Sequence, residues 1–128
     1  MMIDAAAKYL KTHEWVKKDG DLFVVGLTAY AIEQLGDIVY MELPETGKVL
    51  SQGDAFGIIE SVKSASDMYA PLSGTVAAVN EQVPDNPDML KADAYGEGWL
   101  IKIEAGNASE FDGLMDADAY RQFLETEA

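Results

Sequence analysis

Apolar positions along this chain fall in short runs, each closed by a turn. "HEWV" (13–16) ends in the polar "KKDGD" (17–21), and "LFVVGL" (22–27) follows. "DIVYMEL" (37–43) alternates less cleanly and stops at Pro44. "AFGIIESV" (55–62) and "GTVAAVN" (74–80) flank a small, polar segment, "SVKSAS" (61–66). "GWLIKIE" (98–104) puts Trp99, Ile101 and Ile103 on one face, with Leu100 and Lys102 on the other. Runs of this length, with Gly, Pro and Asp between them, predict strands joined by turns. The whole pattern predicts a mainly β fold, a barrel or a sandwich.

Helical spacing is confined to the margins. "TAYAIEQLG" (28–36) opens on an N-cap threonine and closes on a glycine, with Tyr30, Ile32 and Leu35 on its apolar side. "ASEFDGL" (108–114) carries Ser109 three residues before Asp112, a weak cap. Residues 116–128 place Tyr120, Phe123 and Leu124 at helical spacing and predict a C-terminal helix. The expected organisation is one domain over 1–128, with its core at about 10–105 and a helical segment at about 108–128.

Composition narrows the chemistry. Lys and Arg number 9 against 23 Asp and Glu, a net charge of -14. Nucleic acid and anionic membranes need clustered cations, so neither is an expected partner. No apolar run is long enough to span a bilayer, and the N-terminus lacks a signal-peptide core. The expectation is a cytoplasmic monomer, or a mitochondrial-matrix protein if the chain is processed. There is no cysteine, so disulfides, thiolate metal sites and cysteine nucleophiles are excluded. His13 is the only histidine, and no G-x-S-x-G frame supports a triad. No carboxylate run fits an EF-hand and no phosphate loop is present, so neither a metal nor catalysis by the chain itself is expected.

One cation stands out. Lys63 is the only basic residue between Lys48 and Lys91, and it sits in a predicted tight turn between strands. One reading is a solvated lysine. The other is an attachment point, where an amide on the ε-nitrogen removes the charge and hangs a long arm on a rigid scaffold. Glu60 and Asp67 stand close enough in sequence to pair with it or to be read by a modifying enzyme.

"ESVKSASDMYAPLSGTV" resembles the lipoyl-attachment segment of the glycine cleavage H-protein family. "KTHEWV", "LGDIVYMELPETG", "GDAFGIIESVK" and "YGEGWLIKI" resemble the same family in the same order, across nearly the whole chain. The resemblance implies a barrel-sandwich hybrid, lipoyl-domain-like, with (R)-lipoate in amide linkage to Lys63 at a hairpin tip. It implies that Glu60 helps the lipoylating enzyme, a lipoate ligase or a lipoyl/octanoyl transferase, to recognise the site. It implies that Thr12, Glu14 and Asp67 line a cleft for the loaded arm, with the two carboxylates holding a cationic aminomethyl end. The implied work is that of a non-enzymatic carrier. Glycine decarboxylase (P protein) loads it, aminomethyltransferase (T protein) unloads it, and dihydrolipoyl dehydrogenase (L protein) reoxidises it. Without the resemblance, Glu14 reads as an exposed strand residue. Ser64 stands where the family commonly has alanine, and Ala29 and Ile32 where it often has polar residues.

Other readings are a lipoyl or biotinyl domain of a larger complex, a lipoate relay to other proteins, and an unmodified binding protein. Against the first, such domains resemble D-K-A or M-K-M at the lysine, whereas this chain has V-K-S.

Overall fold

The computed structural model describes residues 3–127. Two antiparallel sheets carry the fold. The larger contains β1 (Lys8–Tyr9), β2 (Glu14–Asp19), β3 (Leu22–Leu27), β5 (Val49–Leu50), β8 (Gly74–Val79) and β9 (Ile101–Ala105). Its strand order is β1-β2-β3-β9-β8-β5. The smaller contains β4 (Ile38–Glu42), β6 (Ala55–Ser61) and β7 (Ala65–Tyr69), in the order β4-β6-β7. Short helices lie around the sheets: α1 (Ala29–Leu35), α2 (Gln82–Asp85), α3 (Asp88–Ala92), α4 (Ser109–Asp112) and, at the C-terminal end, α5 (Ala117–Glu127). This is the mainly β architecture with peripheral helices that the apolar pattern predicts. Among the described residues, no helix is long and apolar enough to cross a membrane.

The structure corrects several details. The strand that pairs with β6 across the Lys63 turn is β7, not the run at 74–80, which joins the larger sheet. β7 escapes the apolar pattern because it is an edge strand with a polar surface; only Met68 in it is buried. The first hairpin turn is tighter than expected. Asp19 pairs with Leu22, leaving Gly20 and Asp21 as the loop, and Gly20 adopts φ 63°. Trp99 precedes β9 and packs away from Ile101 and Ile103, in a different cluster. Ser109 is the first residue of α4 rather than its cap; its N–H donates to Asn107 Oδ1.

Two apolar clusters hold these elements. The main core lies between the sheets, with Val16, Val25 and Ile103 from one side and Phe56, Ile59 and Met68 from the other. The second gathers Ala7, Tyr9, Trp15, Tyr95, Ala117 and Tyr120, and so fastens α5 to the β1–β2 edge. The Tyr9 and Tyr120 rings stack with centroids 4.4 Å apart. β2 serves both clusters because consecutive strand residues point to opposite faces: Trp15 enters one and Val16 the other.

Trp15 also explains a glycine. Gly26 lies directly across from it in β3, and a Cβ there would stand 2.5 Å from the indole. The indole is fully buried, and its Nε1 donates to Ala94 O at 3.0 Å, so it has no free direction in which to retreat. Gly26→Ala should therefore destabilise the fold by about 1–3 kcal/mol, the usual range for overpacking. Urea unfolding checks this; a midpoint equal to wild type would mean the indole relocates freely.

Candidate functional site

The β6–β7 hairpin presents Lys63. Its three-residue tip, 62–64, is held by Ser61, a buried polar residue. Ser61 N–H donates to Ser64 O at 2.8 Å. Its hydroxyl oxygen accepts from Lys63 N–H at 3.3 Å and Ser64 N–H at 3.2 Å. This is the local turn chemistry that serine supplies. Sequence reasoning did not single out Ser61; its signal was a serine at each end of a four-residue turn. Val62 N–H donates to Asp37 O at 3.1 Å and ties the tip to the start of β4.

The backbone of the tip is thus fixed, and the Lys63 side chain stands exposed upon it. Its Nζ donates to Gln34 O, at the C-terminal end of α1, at 3.3 Å. Among the described residues no carboxylate is within ion-pair distance of it. Gly36 ends α1 at φ 75°, and the Lys63 stem passes beside it. Glu60 lies on β6 between Tyr40 and Ala65, half-buried rather than fully exposed.

Beside the hairpin, between β7 and α1, opens a cleft of about 320 Å³. Thr12, Glu14 and Asp67 all line it, with Gln34 and Ser64 near the lysine. Leu27, Leu35, Ile59 and Met68 give it an apolar wall. Glu14 forms its polar floor and is only 1% exposed, contrary to the bare strand reading. The carboxyl is fully partnered: the Thr12 hydroxyl donates to one oxygen, and Tyr69 N–H donates to the other at 2.9 Å.

Tyr69 N–H points out from the free edge of β7, towards Glu14. Backbone groups two residues apart on a strand point the same way, so Asp67 turns its own N–H and C=O to the cleft. The Asp67 side chain belongs to the opposite face from Ser66 and Met68. Asp67 is exposed and lines the cleft.

His13 shapes the rim. Its φ of 77° is the only positive value at a non-glycine position among the described residues. Its Nδ1 lies 2.8 Å from the Tyr120 hydroxyl, which lies 2.9 Å from Thr28 Oγ. Tyr30 and Phe123 flank the ring. Burial holds its pKa below the ordinary histidine value. His13 thus couples the cleft to α5 and the cap of α1. Among the described residues, no group of three His, Asp or Glu side chains is placed to hold a metal ion.

Electrostatics marks Glu14. Burial raises its pKa from 4.5 to about 7, against the opposing pull of the Thr12 and Tyr69 donors. A carboxyl that is partnered but desolvated, at the end of an apolar cleft, suits a slender chain that ends in a cation. The shift also sets a pH dependence. The folded state favours protonated Glu14, so that stabilisation is complete below pH 4.5 and fades as pH rises to about 7. The loss amounts to roughly 3 kcal/mol. Glu14→Gln keeps both hydrogen bonds, with its amide accepting from Tyr69 and donating to Thr12, and cannot ionise. Wild type should lose stability relative to this variant across that window, measured by urea unfolding at each pH. A difference that stays constant with pH would contradict the raised pKa. His13 acts in the opposite direction and is common to both proteins, so it cancels.

The comparisons with known proteins agree with this architecture. The family model described as "Glycine cleavage H-protein" matches residues 7–127. The chain is 49% identical over 120 residues to the glycine cleavage system H protein of Carboxydothermus hydrogenoformans, covering 94% of this chain and 92% of that one. It is 52% identical over 119 residues to that of Rippkaea orientalis, covering 92% and 90%. A crystal structure of a glycine cleavage system H protein from Mycobacterium marinum superposes with a TM-score of 0.88 at 35% identity, covering 96% of this chain and 99% of that one. The chain belongs to the glycine cleavage H-protein family.

Proposed function

We propose that the chain is the lipoylated carrier of the glycine cleavage system, working as a cytoplasmic monomer that catalyses no step itself. It takes the aminomethyl group of glycine from the PLP-dependent decarboxylase to the tetrahydrofolate-dependent aminomethyltransferase, and dihydrolipoyl dehydrogenase then reoxidises it. The observation that carries this reading is the juxtaposition of a rigidly mounted, exposed lysine without a carboxylate partner and a cleft floored by a buried carboxyl. The residues fit the prosthetic group: Lys63 offers an exposed ε-amine held by one long hydrogen bond, and the cleft beside it offers an apolar wall. Lipoate, once joined to Lys63 as an amide, supplies the sulfur chemistry that a cysteine-free chain lacks.

The remaining work falls to this chain's residues. Ser61 and the Val62–Asp37 bond hold the attachment point in place. Glu60, three residues before it, contributes to recognition by the lipoylating enzyme. Thr12, Glu14 and Asp67 receive the cationic end of the cargo. A cation beside Glu14 favours the ionised carboxylate, so its arrival near neutral pH displaces a proton from that group. Leu27, Leu35, Ile59 and Met68 keep water away. Partner encounters are charge-assisted, as the net charge of -14 suits rapid, salt-sensitive exchange among partners with basic faces.

Two expectations test this reading. Lys63→Arg preserves an exposed charge and should change stability by no more than about 0.5 kcal/mol. It should abolish lipoylation, seen as no mass gain after incubation with lipoate ligase, lipoate and ATP; a normal mass gain would remove Lys63 from its role. Glu14→Gln should leave lipoylation intact but speed loss of the cargo to water by about tenfold, equivalent to ~1.4 kcal/mol, just under the range for a charge-assisted hydrogen bond. Cargo lifetime without aminomethyltransferase is the measurement. A lifetime equal to wild type would assign the shelter to other contacts.

A further inference from the structure

The outer face of the three-stranded sheet departs from the rest of this acidic surface. Four large apolar side chains are exposed among the described residues: Val39, Tyr40, Val49 and Val62. Three of them lie at the tip end of the Lys63 hairpin, and strand pairing shows how they come together. Ile38 stands opposite Ser61 and Tyr40 opposite Glu60, so Val39 is an extra residue in β4, a β-bulge. Bulges re-aim side chains, and this one leaves Val39 64% exposed beside an exposed Tyr40. On β6, Ile59 and Ser61 point inward and are buried, so the alternation sends Glu60 outward, and Val62 follows as the first residue of the tip. Val62 is 72% exposed, and its bond to Asp37 O holds it next to the start of β4. Carboxylates rim this group. Tyr40 OH donates to Glu42 at 2.9 Å, and Glu60 faces Tyr40 across the strands.

We propose that Val39, Tyr40 and Val62 are the apolar anchor on which the enzyme that acylates Lys63 docks. That enzyme meets them with an apolar slot rimmed by Lys or Arg side chains. The inference rests on Lys63 being the attachment point. Acylation there requires the unprotonated Nζ to displace the leaving group of an activated acyl donor held by the enzyme, with loss of one proton. Any active site that reaches Nζ must close over the hairpin tip. A standard interface covers about 800 Å² on each partner, so it takes in Val62, which adjoins Lys63 in sequence. The Asp37–Val62 bond brings the start of β4 under the same cover. Within such an interface, buried apolar anchors carry most of the affinity, while rim charges set the encounter rate and the choice of partner. The rim here is acidic, which fixes the complementary sign as basic.

The test uses unmodified full-length chain, lipoate ligase, lipoate and ATP, with initial acylation rates read by intact mass. The double variant Val39→Ser with Val62→Ser should raise the ligase KM for the protein about tenfold and leave kcat within about twofold. Val49→Ser is the control: that residue is 74% exposed on β5 of the other sheet, and its KM should stay at the wild-type value. Val62→Thr, which keeps the side-chain shape, is the second variant if the double one melts early; it should raise KM in the same direction. An unchanged KM in the folded variants overturns the proposal, as does a fall in kcat at constant KM. Wild-type protein that gains no mass at Lys63 would instead overturn the carrier reading on which the proposal stands.

Discussion

The two sheets of this protein meet at a buried carboxyl. Glu14 is the first residue of β2 in the larger sheet, and its side chain accepts the Tyr69 N–H of β7 in the smaller one. Edge strands carry unpaired backbone donors that need a partner. Glu14 supplies it from the neighbouring sheet, and the Thr12 hydroxyl completes the arrangement. The same contact closes the floor of the cleft beside Lys63, so one residue both bridges the sheets and defines the binding site. Burial opposes the charged form more than its hydrogen-bond donors favour it, so Glu14 holds its proton up to about pH 7.

That balance connects folding to carriage. A carboxyl that is costly to ionise in an empty cleft gains a favourable partner when a cation enters. Differential stabilisation of the cargo-bound arrangement then comes from a penalty already present in the fold. The geometry around it is stiff where position matters. Ser61 fixes the hairpin tip, and His13, Tyr120 and Thr28 fix the rim through linked hydrogen bonds. The Lys63 side chain stands exposed on this frame, with one long hydrogen bond to Gln34 O.

Much of this was legible in the sequence, for physical reasons that also explain the rest. The strands at 22–27 and 55–61 show as apolar runs because the main core lies on them. The Thr28 cap and terminal glycine of α1 obey local rules and needed no tertiary information. β7 was hidden because an edge strand with polar residues on both sides of Met68 has no apolar period. α2 and α3 were hidden because each is about one turn long and buries one residue, Val83 or Leu90. Glu14 is the instructive case. Its neighbours Trp15 and Val16 announce a strand, but nothing local announces that a second sheet's edge will cover the carboxyl. Family resemblance pointed to the cleft residues.

The most direct measurement is the titration of Glu14 itself. Carboxyl-carbon NMR on protein labelled at glutamate, with Glu14→Gln to assign the signal, follows its ionisation in the unmodified chain and again in the loaded carrier. The expected result is a midpoint near 7 with the cleft empty and a clearly lower midpoint with the cargo in place. A midpoint near 4.5 in both states would show that the carboxyl is neither desolvated by the fold nor engaged by the cargo.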